Sequence, residues 1–225
     1  MSFFTFFVPL LKFLSSNGGD SVDLSYALSA QKTPLHPPPP GTNYATNPTV
    51  FGRILEGTIP TSTLAESKYI YAFRDKNERA PLHALVIPKE FIPSIKTFGT
   101  TTEMIEHHSH TNNKIEIDGA HSNCGSLKVV QQGQKKLKYL KLVQQMQETA
   151  LEILKAEQPR ALHEKDYLLC FHIPPFTSVD HLHLHVLAPV STMSFWNRRL
   201  KYLPGTCWCT NLEQVLASLE NNISQ

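Results

Sequence analysis

The chain has few of the features that mark secreted, membrane-spanning or nucleic-acid-coating proteins. Its four cysteines, Cys124, Cys170, Cys207 and Cys209, form no C-x-x-C pair and no regular framework. A disulfide scaffold is therefore not expected, and reduced thiols in an intracellular compartment fit better. Cys207-Trp208-Cys209 is too tight for the usual zinc spacings and reads as packing. No apolar run reaches the roughly 18 residues a membrane span needs. The longest candidate, Ser2 to Leu14, is interrupted by Pro9 and Lys12. No basic residue precedes it, so a secretion signal is not expected, and docking or disorder is favoured over membrane attachment. Net charge is only +2, with both signs mixed, which gives no basis for a nucleic-acid coat or an acidic tail.

At 225 residues the chain fits one domain with appendages. Residues 1–47 read as an N-terminal extension and linker. Ser15 to Gly19 and the run Pro37-Pro38-Pro39-Pro40-Gly41 offer little apolar surface to bury. The prolines could recruit an SH3 or WW partner, but a spacer is the simpler reading. Residues 48–225 read as the domain. A polar insertion at about 99–134 carries His107, His108 and His110, whose spacing imposes no metal geometry and reads as a solvated loop.

Against this background, one stretch stands out. In His181-Leu182-His183-Leu184-His185-Val186-Leu187, imidazoles alternate with aliphatic residues at the period of a β-strand. The spacing predicts that His181, His183 and His185 share one face and that Leu182, Leu184 and Val186 share the other. Buried imidazoles need hydrogen-bond partners, so three in alternation imply a network or a bound anion.

Two further stretches accompany it. One is Phe73-Arg74-Asp75 followed by Ala80-Pro81-Leu82-His83-Ala84-Leu85-Val86-Ile87-Pro88-Lys89, and the other is Val50-Phe51-Gly52-Arg53-Ile54 through Pro60. In order and approximate spacing, the three together resemble the histidine triad (HIT) superfamily. They are most like its Hint branch of nucleotide hydrolases. Phe171-His172-Ile173-Pro174-Pro175-Phe176-Thr177-Ser178 and Met193-Ser194-Phe195 are similar to the third animal-type Hint proteins and their fungal relatives.

Local patterns predict the elements. A short helix is expected over Val50–Leu55, and strands over Tyr69–Phe73, Leu82–Ile87, Tyr167–Phe171 and His181–Leu187. Leu137, Leu140, Val143, Met146, Ala150, Ile153 and Leu154 recur at helical steps, so an amphipathic helix should end before Pro159. Leu212, Val215, Leu216 and Leu219 suggest a closing helix. This order argues an α+β fold with an antiparallel sheet covered by the long helix.

Neutral imidazole is a good nucleophile, so such a cluster suits phosphoryl or nucleotidyl transfer without a metal or other cofactor. The resemblance implies specific roles. His183 would attack phosphorus and form a nucleotidyl-histidine intermediate, and His185 would donate to the phosphate oxygens. His181 and His83 would complete the imidazole network, and Ser178 would assist the leaving amine. Asp75 would accept the ribose hydroxyls, and Val50, Phe51, Ile54 and Phe73 would sandwich a purine beside Arg74.

The implied activity is that of an adenosine 5′-monophosphoramidase, acting as a homodimer in the cytoplasm and nucleus on a purine nucleotide. Alternatives are aprataxin-like removal of AMP from adenylated DNA ends, dinucleoside polyphosphate hydrolysis, and a non-catalytic nucleotide-binding scaffold. A zinc site built on His-x-His with His83 or Ser178 is a further alternative. Two departures stand out: Ile173 to Thr177 replaces a Gly-rich loop, and Phe91 stands where the family often has another histidine.

Overall fold

The computed structural model describes residues 36–98 and 124–223. The apolar N-terminal stretch, Ser15 to Gly19 and the His107–His110 cluster lie outside these residues. No helix among the described residues is long and apolar enough to cross a membrane.

Six strands form one sheet: β1 (Thr63–Glu66), β2 (Ile70–Arg74), β3 (Leu82–Pro88), β4 (Leu168–His172), β5 (Leu184–Ala188) and β6 (Cys209–Asn211). Their order is β1-β2-β3-β5-β4-β6, and every pairing is antiparallel. The expected α+β architecture holds, with four of the six strands near their predicted positions. β1 and β6 were not expected. Both are short edge strands without a run of alternating apolar residues, and edges are commonly kept short and polar.

Strand alternation divides the sheet into two faces. Ile70, Ala72, Leu82, Ala84, Val86, Leu169, Phe171, Leu184 and Val186 point to one face and join a single core. The long helix α2 (Cys124–Glu157) covers it with Tyr139, Val143, Met146, Ala150, Ile153 and Leu154. The closing helix α4 (Leu212–Ile223) adds Leu212, Val215 and Leu219. Leu137 was expected in this stripe but is exposed, and Tyr139 takes the buried position.

α2 begins at Cys124, so residues 124–134, read as part of the insertion loop, are helical. Polar Lys- and Gln-rich sequence has good helix propensity, and an established helix extends at little further cost. At the other end Pro159 disfavours helical backbone at the preceding residue. Gln158 is accordingly non-helical, and Pro159 opens a separate short helix, α3 (Pro159–His163).

The opposite face carries the smaller helix α1 (Val50–Leu55). Its Phe51, Ile54 and Leu55 pack on Tyr71, Phe73, Leu85 and Ile87. Residues 36–47, read as linker, are packed here too. Tyr44 is buried in this cluster, and the His36 ring lies 4.2 Å from Tyr71, with Nδ1 2.8 Å from Glu66 Oε2. The same Glu66 accepts a 2.6 Å bond from buried Lys89. Tyr44 and a few polar side-chain contacts, with no hydrophobic period, hold this segment.

Candidate active site

The histidines gather on the α1 face. β3 contributes His83, β5 contributes His185, and the extended approach to β5 contributes His181 and His183. β5 starts later than the sequence predicts because the Leu182 amide bonds to the Ile92 carbonyl at 2.7 Å, outside the β3 ladder. The predicted alternation nevertheless holds. Leu182, Leu184 and Val186 lie in the α2 core, and the imidazoles are buried on the other side.

A further imidazole, not expected from the sequence, joins them. His172 ends β4 on the same face, and its ring centroid is 4.5 Å from that of His185. The signal was its register: Leu169 and Phe171 point to the α2 core, so Cys170 and His172 must point to the site.

Hydrogen-bond partners fix the neutral tautomers. His183 Nδ1 is 2.6 Å from the His181 carbonyl, which can only accept, so Nδ1 carries the proton and Nε2 keeps its lone pair. His83 Nδ1 donates to the Asn77 carbonyl at 3.3 Å, leaving its Nε2 to accept from His185 Nδ1 at 3.0 Å. His185 Nε2 is then a lone pair, buried without a partner. His172 Nε2 donates to the Lys201 carbonyl at 3.1 Å, which leaves Nδ1 bare.

His181 is held at both ends. Its Nε2 donates to the Pro88 carbonyl at 3.0 Å, and its Nδ1 accepts from Asn47 Nδ2 at 2.8 Å. Asn47 cannot turn its oxygen to the ring without losing two other bonds, since Oδ1 accepts from the Thr49 amide and hydroxyl at 3.1 and 2.8 Å. Thr49 in turn caps α1 by accepting from Phe51 N. The Phe51 ring stands edge-on to both His181 and His183, with centroids 5.5 Å away. Asn47 fell within the presumed linker, so nothing in the sequence marked it.

The other expected site residues divide. Phe51, Ile54 and Phe73 are buried in one cluster beside the imidazoles, and Val50 is exposed at its rim. Asp75 follows β2 with one oxygen 2.8 Å from the Asn77 amide and the other 3.4 Å from His83 Nε2. Arg74 lies apart from the imidazoles. Alternation along β2 turns it to the α2 face, where its guanidinium pairs with Glu157. Ser178 is exposed in the loop before His181, and none of the hydrogen bonds linking the imidazoles runs through it. Phe91 lies edge-on to His181 at 5.6 Å and supplies packing where the family often has an imidazole.

The family model "Scavenger mRNA decapping enzyme C-term binding" matches residues 48–117 and 121–201, more than half of the chain. The chain belongs to this family, within the histidine triad superfamily. An adenosine 5′-monophosphoramidase HINT3 from Danio rerio is 35% identical over 136 residues, covering 60% of this chain and 61% of that protein. The Mus musculus protein of the same name is 28% identical over 186 residues, covering 80% and 88%. The solved HIT family hydrolase from Legionella pneumophila is 26% identical, with a TM-score of 0.40, and covers 62% of this chain and 90% of that one.

Burial is the main reason that all five imidazoles of this histidine triad site take up protons less readily than free histidine. For His181 it brings the pKa down to about 4, partly opposed by the bond to Pro88. The unfolded ring titrates near its ordinary value, about 6.5. Between these values the unfolded chain binds the extra proton, so stability is full above pH 6.5 and falls as pH drops toward 4. The other four rings shift in the same direction. Urea unfolding should therefore show stability falling from pH 7.5 to 5.5, before carboxylates titrate, by up to about 1.4 kcal/mol per pH unit for each such ring. A flat profile over this window would mean that the folded rings take up protons as readily as the unfolded ones.

Proposed function

We propose that the chain is a nucleoside 5′-phosphoramidase that transfers the nucleotidyl group of an adenosine 5′-monophosphoramidate-type substrate through His183. The observation that carries this reading is the His183 tautomer. The 2.6 Å bond from Nδ1 to the His181 carbonyl directs the proton away and holds Nε2 as the nucleophilic lone pair. The names of the HINT3 relatives supply the substrate class.

In this reaction Nε2 attacks phosphorus, the P–N bond to the amine breaks, and the amine leaves with a proton drawn from solvent, which the water of the second step gives back. Water then attacks the nucleotidyl-histidine, releasing AMP and restoring the imidazole. His185 faces the same space, and a proton taken up there as the anion arrives turns Nε2 into a donor to a non-bridging oxygen. His83 and His181 orient their neighbours through the hydrogen bonds described above. Asp75 accepts the ribose hydroxyls, and Phe51, Ile54 and Phe73 with Val50 flank the base. Ser178, exposed beside the approach to the site, assists the amine as it departs. Within this reading the enzyme works as a homodimer, as its resemblance to Hint proteins implies.

A substrate panel tests the proposal: AMP phosphoramidate, diadenosine polyphosphates and adenylated nicked DNA, each with and without EDTA. The phosphoramidate should be preferred by at least about tenfold in kcat/KM, a difference of about 1.4 kcal/mol in transition-state binding, and EDTA should not reduce turnover. A preference for either other substrate, or loss on chelation that zinc restores, would overturn it.

A further inference from the structure

We propose that the exposed turn carrying Phe195, Trp196 and Leu200 docks the protein reversibly on the surface of an anionic phospholipid bilayer. The inference does not rest on the proposed reaction.

The turn is pushed outward by what is buried on either side of it. Met193 and Tyr202 both belong to the buried cluster that holds Cys170, Leu187 and Cys209. Between these two anchors the chain makes one π-helical turn, Asn197–Lys201, with no buried residue. Phe195, Trp196 and Leu200 are 59%, 69% and 54% exposed. Phe176, 58% exposed, joins them through Trp208. The Trp208 ring centroid lies 6.2 Å from that of Phe176, and its Nε1 donates to the Leu200 carbonyl at 2.6 Å. Four of the seven large apolar side chains exposed among the described residues thus gather in one place. Scattered exposed apolar residues need no explanation, but a gathered set marks an interaction surface.

Charge selects the partner. Arg198, Arg199 and Lys201 are exposed on the same turn, and residues 181–212 contain no Asp or Glu. Among the described residues, none of the ion pairs involves Arg198 or Arg199. The patch is therefore apolar and cationic at once. That combination fits a bilayer interface, where aromatic rings settle at headgroup depth and cations are drawn to anionic lipids. Single-stranded nucleic acid is also anionic but fits less well, because its bases stack on open aromatic faces. Here Phe195 and Trp196 meet edge-on at 83°, and Phe176 and Trp208 at 72°, so the rings form no parallel slot. Insertion at the acyl boundary makes no such demand on ring orientation.

The turn is also tied to the candidate active site. The Lys201 carbonyl accepts from His172 Nε2 at 3.1 Å, and the Tyr202 ring centroid lies 5.3 Å from that of His185. Docking through this turn therefore holds the imidazoles near the lipid surface.

The test mixes the full chain with vesicles of phosphatidylcholine, alone or in equal mixture with phosphatidylserine. Binding is read by co-sedimentation and by tryptophan emission. Trp196 and Trp208 are the only tryptophans of the chain, so emission reports this region and not the apolar N-terminal stretch. The mixed vesicles should bind at least about tenfold more tightly than phosphatidylcholine, less so as salt is raised. Brominated acyl chains should quench the emission. Phe195→Ser combined with Trp196→Ser should weaken binding at least about tenfold, and Arg198→Gln combined with Arg199→Gln should abolish most of the preference for anionic lipid. Circular dichroism checks that each variant is folded. Absent binding, binding unchanged in either folded variant, or sedimentation without quenching would overturn the proposal. So would release of the protein from the vesicles by a charge-equivalent amount of single-stranded RNA.

Discussion

His183→Ala should lower phosphoramidase turnover by about four orders of magnitude or more while leaving the protein folded. The size follows from removing the attacking atom from a unit whose members act together, for which single deletions cost nearly as much as removing the whole set. The fold survives because the ring lies on the site face of the chain. Leu182 and Leu184, which flank it, point into the α2 core and are untouched. The ring's losses are edge contacts to Phe51 and His185 and its bond to the His181 carbonyl. Nucleotide affinity, measured with AMP by calorimetry, should stay within a few-fold, since the proposed base and ribose contacts are elsewhere. Near-normal turnover in the folded variant would exclude His183 as nucleophile.

Gly52→Ala should cut turnover by about 10- to 100-fold, although residue 52 offers no side chain for the chemistry. A Cβ at this position would lie 2.5 Å from the Asn47 carbonyl oxygen and 2.9 Å from its Cβ, and the nearer of these is backbone. Asn47 has to shift. Its Nδ2 holds His181 Nδ1 at 2.8 Å, and the His181 carbonyl holds His183 Nδ1. Displacing Asn47 therefore loosens the His183 tautomer two bonds away, and the hydrogen bonds that orient metal-ligating histidines, which act by the same route, are worth about 10–100-fold in activity. The loss should fall mainly on kcat. Asn47→Ala should reproduce it, whereas Asn47→Asp keeps the capping oxygen but not the donor and should not restore activity. A Gly52→Ala protein with normal kcat would show that the Asn47 link does not position the nucleophile.

The parts of the molecule legible in the sequence were those with a period. The His-Leu-His-Leu-His alternation located the site face and its opposite core, and the three- and four-residue steps from Val143 to Leu154 located the covering helix. Strands β2 and β3 showed themselves through aromatic and β-branched runs bounded by turns. What the sequence hid lacks a period. Asn47 and Tyr44 belong to a segment held by one buried aromatic ring and a few polar contacts, which composition alone casts as linker. β6 has only three residues, Cys209–Asn211, and becomes a strand by pairing with β4.

His172 and Arg74 carry a different lesson. Both lie in stretches that the family resemblance marked, yet only strand register tells which face each side chain occupies. His172 falls on the site side, where its ring meets His185. Arg74, next to a site residue in sequence, falls on the helix side and pairs with Glu157. A motif gives residue types and spacing, and the pleat decides which of them meet.

Trapping the proposed nucleotidyl-histidine shows which nitrogen carries the nucleotidyl group. The protein is mixed with AMP phosphoramidate, quenched within a turnover under alkaline denaturing conditions that spare an acid-labile P–N bond, digested and analysed by mass spectrometry. The adenylyl mass should sit on the peptide containing His181 to His185, with fragmentation placing it on His183, and should be absent from His183→Ala. An adduct on Ser178, or rapid turnover in the first cycle with no adduct on any histidine, would contradict the account.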